Sequence, residues 1–193
     1  MNSLISGIIE RRSVRKFKPG RVSEDLLGLL VKAATFAPSA MNTQLWHFTV
    51  VENRERIDRI TEALRSASTH ESVPDFLSKM VAKPTYTVNY GAPVLIVVSG
   101  DRSRSTTIND CTLAAGNIML AAHSLGLGSC WINQLNVVCD VPAFRRVLTE
   151  LGVPEEYAVY ASVCVGHPEG PIPDPAERDR KSTRLNSSHL AES

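Results

Sequence analysis

No stretch of this 193-residue chain is apolar enough for long enough to cross a bilayer: the longest apolar run, APVLIVVSG, falls far short of the ~20 residues a spanning helix needs. The opening MNSLISGIIERRS has neither a basic leader region nor a small-residue cleavage site. No secretory signal is therefore expected, and the expected compartment is the cytoplasm. Cysteine is sparse. Cys111, Cys130, Cys139 and Cys164 fall in no CxxC or other metal-ligand spacing, and three of them sit beside apolar or small residues, as buried small hydrophobes do. The five histidines form no HExxH, so no metal is expected. Charge of one sign is missing too: a formal net charge of +1 leaves no broad basic face for a nucleic acid. With 43% hydrophobic residues, the chain is long enough for one domain with a real core.

The common catalytic signatures are also absent. There is no GxSxG, and GLGSC places its serine one position wrong for a nucleophile elbow. Neither a GxGxxG after a strand nor a GxxxxGK[ST] occurs, which excludes the usual dinucleotide and P-loop cradles. If the chain is an enzyme, a cofactor has to carry the chemistry.

What is present reads as alternating elements. Leu4, Ile5, Ile8 and Ile9 recur at helical spacing and predict a short amphipathic helix. Ser23 suits an N-cap, with Glu24 and Asp25 in the positive first turn of a second helix. That helix carries Leu26, Leu27, Leu30, Val31 and Ala34 and stops by Pro38. LWHFTVVE reads as a strand, and a third helix from about Arg54 to Ser66 puts Ile57, Ile60 and Leu64 on one face. Residues 67–90 have no firm period and two prolines; a mobile excursion with some helix, a lid, is expected there.

PVLIVVS (93–99) is a short, almost unbroken apolar run, as in a central strand buried on both faces. Asn109 or Asp110 is expected to cap DCTLAAGNIMLAAHSLG. Its residues are small or apolar nearly all round, which predicts a fully buried helix and more apolar surface than one such chain hides. SCWI reads as a strand, and PAFRRVLTELG as a helix with Pro142 in its first turn and Gly152 past its end. YAVYASVCVG reads as an interior strand, and HPEGPIPDPAE as an extended arm. Four strands and five or six helices make a layered α/β architecture without internal repeats. The last stretch, STRLNSSHLAES (182–193), is polar and aperiodic. It is expected to be a disordered or non-native tail, with the folded domain at 1–181.

One segment stands out against the neutral background. ERRSVRKF packs Arg11, Arg12, Arg15 and Lys16 around Ser13. Arginine forks make paired, charge-assisted bonds to phosphate, and a serine adds a neutral donor. The alternative is a solvated helix C-terminus, where cations meet the negative end of the dipole.

The stretch ISGIIERRSVRKFKPGRVSEDLLGLLVKAATFAPSAMNTQLWHFTVV resembles the opening of the nitroreductase family of FMN-dependent flavoproteins. The likeness continues in GAPVLIVV, in DCTLAAGNIMLAAHSLGLGSCWINQL and in VGHPEGPIPDPAERDRK, covering residues 4–181 in order. It implies an α+β, three-layer fold with a mixed central sheet flanked by helices, assembled as a homodimer with flavin sites at the interface. It further implies hydride transfer from NADH or NADPH through FMN to a nitroaromatic, quinone or other conjugated small-molecule acceptor, in ping-pong order. A dehalogenase, an enone reductase, a heterocycle dehydrogenase, or outside enzymology an anion-binding or sensor protein are the alternatives.

By position, the resemblance gives Arg11, Ser13 and, alongside, Arg12 to the FMN phosphate, and Arg15 to the N1–O2 edge of the ring. Pro38, Ser39, Ala40, Asn42 and Gln44 would contact flavin across the dimer interface; Ser39, Asn42 and Gln44 also suit simple turn formers. Trp131, Ile132, Asn133 and Gln134 would lie near N5, though Trp131 equally suits the core. Arg178 and Arg180 would return to the phosphate. Leu45 stands where the family usually has proline, and Asn133 where many members have glycine.

Overall fold

The Ser23 hydroxyl accepts from the backbone N–H of Leu26, and Asn2 and Asn53 cap their own helices in the same way. A computed structural model describes residues 2–175, 177 and 178 of the chain. Its elements run α1 (Ser3–Glu10), α2 (Glu24–Thr35), a short 3-10 turn (Ala40–Asn42), β1 (Trp46–Val51), α3 (Arg54–Ala67), α4 (Asp75–Val81), β2 (Val94–Asp101), α5 (Thr107–Ser124), β3 (Gly128–Ile132), α6 (Gln134–Val138), α7 (Pro142–Glu150) and β4 (Tyr157–Gly166). The tail 182–193 and Arg180 lie outside the described residues.

The strands order as β1-β2-β4-β3, with every pairing antiparallel. A single parallel bridge, Ser13 to Ser129, adds the basic segment to the free edge of β3 and makes the sheet mixed there. Period-two alternation along β2 explains the layers. Leu95 and Val97 enter one core with α3, α4, α6 and α7; Val94, Ile96 and Val98 enter the other, with α2 and α5. Sequence and structure therefore agree on an α+β, three-layer fold around a strand buried on both faces.

Three expectations need correction. The helix α5 is not wholly buried within the chain: Ile108 and Leu113 are 45% and 47% exposed on an open face. Neither Asn109 nor Asp110 caps it, because it begins at Thr107. The carboxylate of Asp110 instead accepts the N–H of Ala40 at 3.2 and 3.3 Å, tying the 3-10 turn to the helix's first turns. The third concerns the excursion 67–90, which is anchored. Val73, Leu77, Val81 and Val88 are buried in the first core. The guanidinium of Arg65 donates to the carbonyls of Val81, Lys83 and Tyr86, the last two at 3.1 and 2.9 Å.

Replacing Arg65 with Ala removes these charge-assisted bonds, at a cost on the order of 1.5–3 kcal/mol. Amides of residues 82–90 should then exchange faster in deuterium while those of β2 keep their protection. Unchanged exchange at 82–90 would mean that packing alone holds the segment.

Candidate functional site

After α1 the chain turns extended and lies along β3. The N–H of Val14 donates to the Ser129 carbonyl at 2.9 Å. On the other flank, Lys18 N–H donates to the His167 carbonyl at 2.8 Å and Glu169 N–H to the Lys16 carbonyl at 3.0 Å. The basic segment is thus a short strand held between β3 and the extended arm that starts at His167. Alternation leaves Ser13 and Arg15 exposed and turns Val14 inward.

That approach needs a glycine at 128. A Cβ there would sit 2.8 Å from Val14 Cβ, closer than side-chain atoms pack. Gly128→Ala should cost roughly 1–3 kcal/mol as overpacking, read as a lower Tm. Val14→Ala introduced with it should recover most of the loss, since the clash is with that side chain. Additive losses in the double variant would place the strain elsewhere.

The segment is also electrostatically unusual. Among the described residues, no carboxylate forms an ion pair with Arg11, Arg12, Arg15 or Lys16. Arg11 is half-buried, and its Nη1 is buried without a hydrogen-bond partner among those residues. Arg12 differs: its guanidinium donates to the carbonyls of Arg11 and Ile9, the latter at 2.8 Å. Those two donors serve the C-terminus of α1, while its Nε, like Arg11 Nη1, is buried without a partner among the described residues. The guanidinium of Arg15 lies over the Tyr90 ring, 5.8 Å from its centroid. Directly beneath, Cys130 faces Cys164 across the β3–β4 pairing. Contact with the Cys164 thiol, and then Arg15, Ser13 and Arg11, hold the Cys130 thiol below its ordinary range. The Cys164 thiol is pushed up by the same contact and by burial.

Arg15 stands between two cavities. One, of 150 Å³, is lined by Ser13–Lys16 and Pro168–Pro173; the other, of 340 Å³, by Met80, Lys83, Thr85, Tyr86, Thr87 and Tyr90. Of the expected 131–134 group, Gln134 reaches this region. Its Nε2 is 3.9 Å from Met80 Sδ, and its Oε1 is buried without a partner among the described residues. Trp131 packs partly buried against the second core, with Nε1 donating to Asn133 Oδ1 at 3.4 Å. Ile132 is buried in the first core, and its carbonyl accepts from Ser162 at 2.8 Å. Met80, Lys83, Tyr86 and Tyr90 escaped the sequence reading. The one signal was the tyrosine-rich PTYTVNY inside an otherwise patternless stretch.

Pro38, Ser39, Ala40, Asn42 and Gln44 are not brought to this place. Met41, Asn42 and Gln44 all have positive φ (52°, 55° and 51°) on either side of a right-handed Thr43, a strained conformation for residues with side chains. Ser39 Oγ accepts from Gln44 N–H, and Gln44 Nε2 donates to Asn42, so these residues hold their own turn. The turn is fixed at Asp110, whereas α1 meets the far end of α5, where Gly7 packs by His123. Those positions lie about 20 Å apart along the helix axis at 1.5 Å per residue. Arg178 is exposed and makes no hydrogen bond or ion pair among the described residues.

Among solved structures, a Bacteroides fragilis nitroreductase with bound FMN superposes with a TM-score of 0.90 at 34% identity, covering 96% of this chain and all of that one. A Methanothermobacter thermautotrophicus relative, provisionally named an NADH dehydrogenase/NAD(P)H nitroreductase, is 32% identical over 91% of this chain and 81% of its own. An iodotyrosine deiodinase of Thermotoga neapolitana is 31% identical over 85% and 88%. A model of the nitroreductase family matches residues 8–167, which span α1's last turn, the basic strand, both cores and all of β4. With the fold, the basic strand and that match in agreement, the chain belongs to the nitroreductase family.

Proposed function

We propose that this chain is an FMN-dependent oxidoreductase that takes electrons from NADH or NADPH and reduces a nitroaromatic, quinone or similar conjugated acceptor. The observation that carries this reading is Arg11 Nη1, a buried donor without a partner among the described residues, in a segment whose four cations form no ion pair with a carboxylate among those residues. Leaving such a donor unmet is costly, and a phosphate is the group that arginine and serine together satisfy. The FMN phosphate therefore fits Arg11 and Ser13.

Arg15 would lie toward the pyrimidine edge of the ring, and Gln134 Oε1, beside Met80, is an acceptor without a partner among the described residues. When bound, FMN supplies hydride acceptance at N5 and electron delivery, chemistry no side chain here provides. The chain's own work is to position, to exclude bulk water and to set the local charge. Residues 38–44 cannot reach the basic strand of their own chain. A second copy would bring them, which supports a homodimer with the cofactor between subunits. The net conversion for a quinone is NAD(P)H + H⁺ + quinone giving NAD(P)⁺ + hydroquinone, with the donor leaving before the acceptor enters.

The test is visible. The purified protein should be yellow, its absorption bands should bleach anaerobically with NADH or NADPH, and addition of a quinone should restore them. A colourless protein that cannot take up FMN would overturn the reading and leave an anion-binding protein. Reductive dehalogenation is the second reading, favoured by the 31% identity to the Thermotoga neapolitana deiodinase. Halide release from a halophenol under the same reductant distinguishes it.

A further inference from the structure

The 340 Å³ cavity beside Arg15 has a wall composition that the family reading does not explain. It carries two cations, Arg15 and Lys83, and no carboxylate. Lys83 is exposed and has no ion-pair partner among the described residues. A third positive group lies behind the wall, since the Arg65 guanidinium sits 5.8 Å from the centroid of the Tyr86 ring. Its acidic neighbour Glu62, 3.6 Å away, projects into water and neutralises little inside the cavity. The rings of Tyr86 and Tyr90 and the thioether of Met80 supply flat, apolar surface. Burial raises the pKa of Tyr86, so its phenol stays neutral and adds no negative charge. Its buried Oη also lacks a hydrogen-bond partner among the described residues. Unneutralised cations on aromatic walls attract a planar molecule with an anionic oxygen.

We propose that this cavity selects conjugated acceptors bearing a carboxylate or phenolate, and that Lys83 holds the anionic oxygen. The inference rests on the reading above only in taking Arg15 to mark the cofactor's edge. Lys83 sits on the anchored 81–86 stretch, so its position is set by the Arg65 bonds rather than by a free loop. The same charge chemistry could serve a phosphate of the dinucleotide donor, and the experiment separates the two.

4-Nitrobenzoate and 4-nitrobenzyl alcohol share a nitro ring and differ in the anion. Equilibrium dialysis of each against the purified protein, at whatever flavin content it carries, measures binding without turnover. The carboxylate should bind about tenfold tighter at low salt, and that advantage should shrink as ionic strength rises. Lys83→Gln should remove most of the advantage and Lys83→Arg should keep it, with the alcohol unchanged within about twofold. Equal affinities for the two probes, or equal weakening of both by Lys83→Gln, would overturn the proposal. So would a Lys83→Gln protein with a raised KM for NADPH over NADH and unaltered 4-nitrobenzoate binding, since the anion site would then belong to the donor. A protein that takes up no FMN defeats the oxidoreductase reading but leaves the dialysis result readable.

Discussion

Leu113→Arg should turn the protein into monomers and strip it of FMN while leaving the fold of each chain intact. Leu113 lies on the open face of α5, and the substitution adds no charge to either core of the single chain. Around it the surface is unusually apolar: Phe36 and Met41 are 77% and 79% exposed, and Leu29 and Ile108 about half exposed. These residues belong together. Asn117 Nδ2 donates to the Ala33 carbonyl at 3.0 Å, and Asp110 accepts from Ala40. Phe36 and Met41 fall beside those two anchors, flanking the stretch of α5 that carries Leu113. A contiguous apolar patch of this kind marks an interface. An unpaired charge buried there costs roughly 3–5 kcal/mol, and two-fold symmetry places two such charges in one interface. The dimer dissociation constant should rise by several orders of magnitude. Light scattering reports the mass, far-ultraviolet dichroism the fold, and absorbance after gel filtration the retained flavin. A folded monomer that keeps its flavin would sink the two-chain site; a dimer that survives the charge would place the interface elsewhere.

How much of this was legible beforehand follows from where each signal is local. PVLIVVS could be read as a strand buried on both faces because its residues from Pro93 to Val98 are all apolar, and β2 feeds both cores. Ser23 could be read as a cap because its hydroxyl bonds three residues on, within the pattern's reach. The helix α6 was missed because five residues, QLNVV, cannot display a helical period. Asp110 was read as a cap because a first-turn acid looks the same whether it caps its own helix or receives a distant N–H. Its partner, Ala40, is 70 residues away. The wall of the second cavity was invisible for the same reason. Lys83, Tyr86 and Tyr90 acquire meaning only when Arg65, earlier in the chain, fixes the carbonyls of Lys83 and Tyr86 and Arg15 arrives over the Tyr90 ring. The basic cluster was conspicuous as a cluster, but its division of labour was not. Arg11 and Arg12 are adjacent in sequence and each keeps a buried donor without a partner among the described residues, yet only Arg12 also closes the end of α1.

That division leads to three distinct outcomes from three arginine variants. Arg11→Ala should weaken FMN binding by on the order of 1.5–3 kcal/mol, the loss of a charge-assisted bond to the phosphate. This is roughly tenfold to a hundredfold in affinity. Arg12→Ala should cost only the helix-end interaction, about 0.3–1 kcal/mol of stability, with FMN affinity nearly unchanged. Arg15→Ala should hold FMN within a few fold and instead lower its midpoint potential. Reduction adds negative charge to the ring, and a guanidinium beside it stabilises the reduced form more than the oxidised one. The Cys130 thiol under Arg15 already registers that field, being held below its ordinary range in part by the same guanidinium. Titrating FMN into each apo-variant gives the affinities, and equilibration with a reference dye gives the potentials. If Arg11→Ala and Arg12→Ala proved alike, both would be helix-end cations and the phosphate would have to bind elsewhere. If Arg15→Ala kept the wild-type potential, Arg15 would not face the ring. Its place over Tyr90 would then serve only the wall of the second cavity.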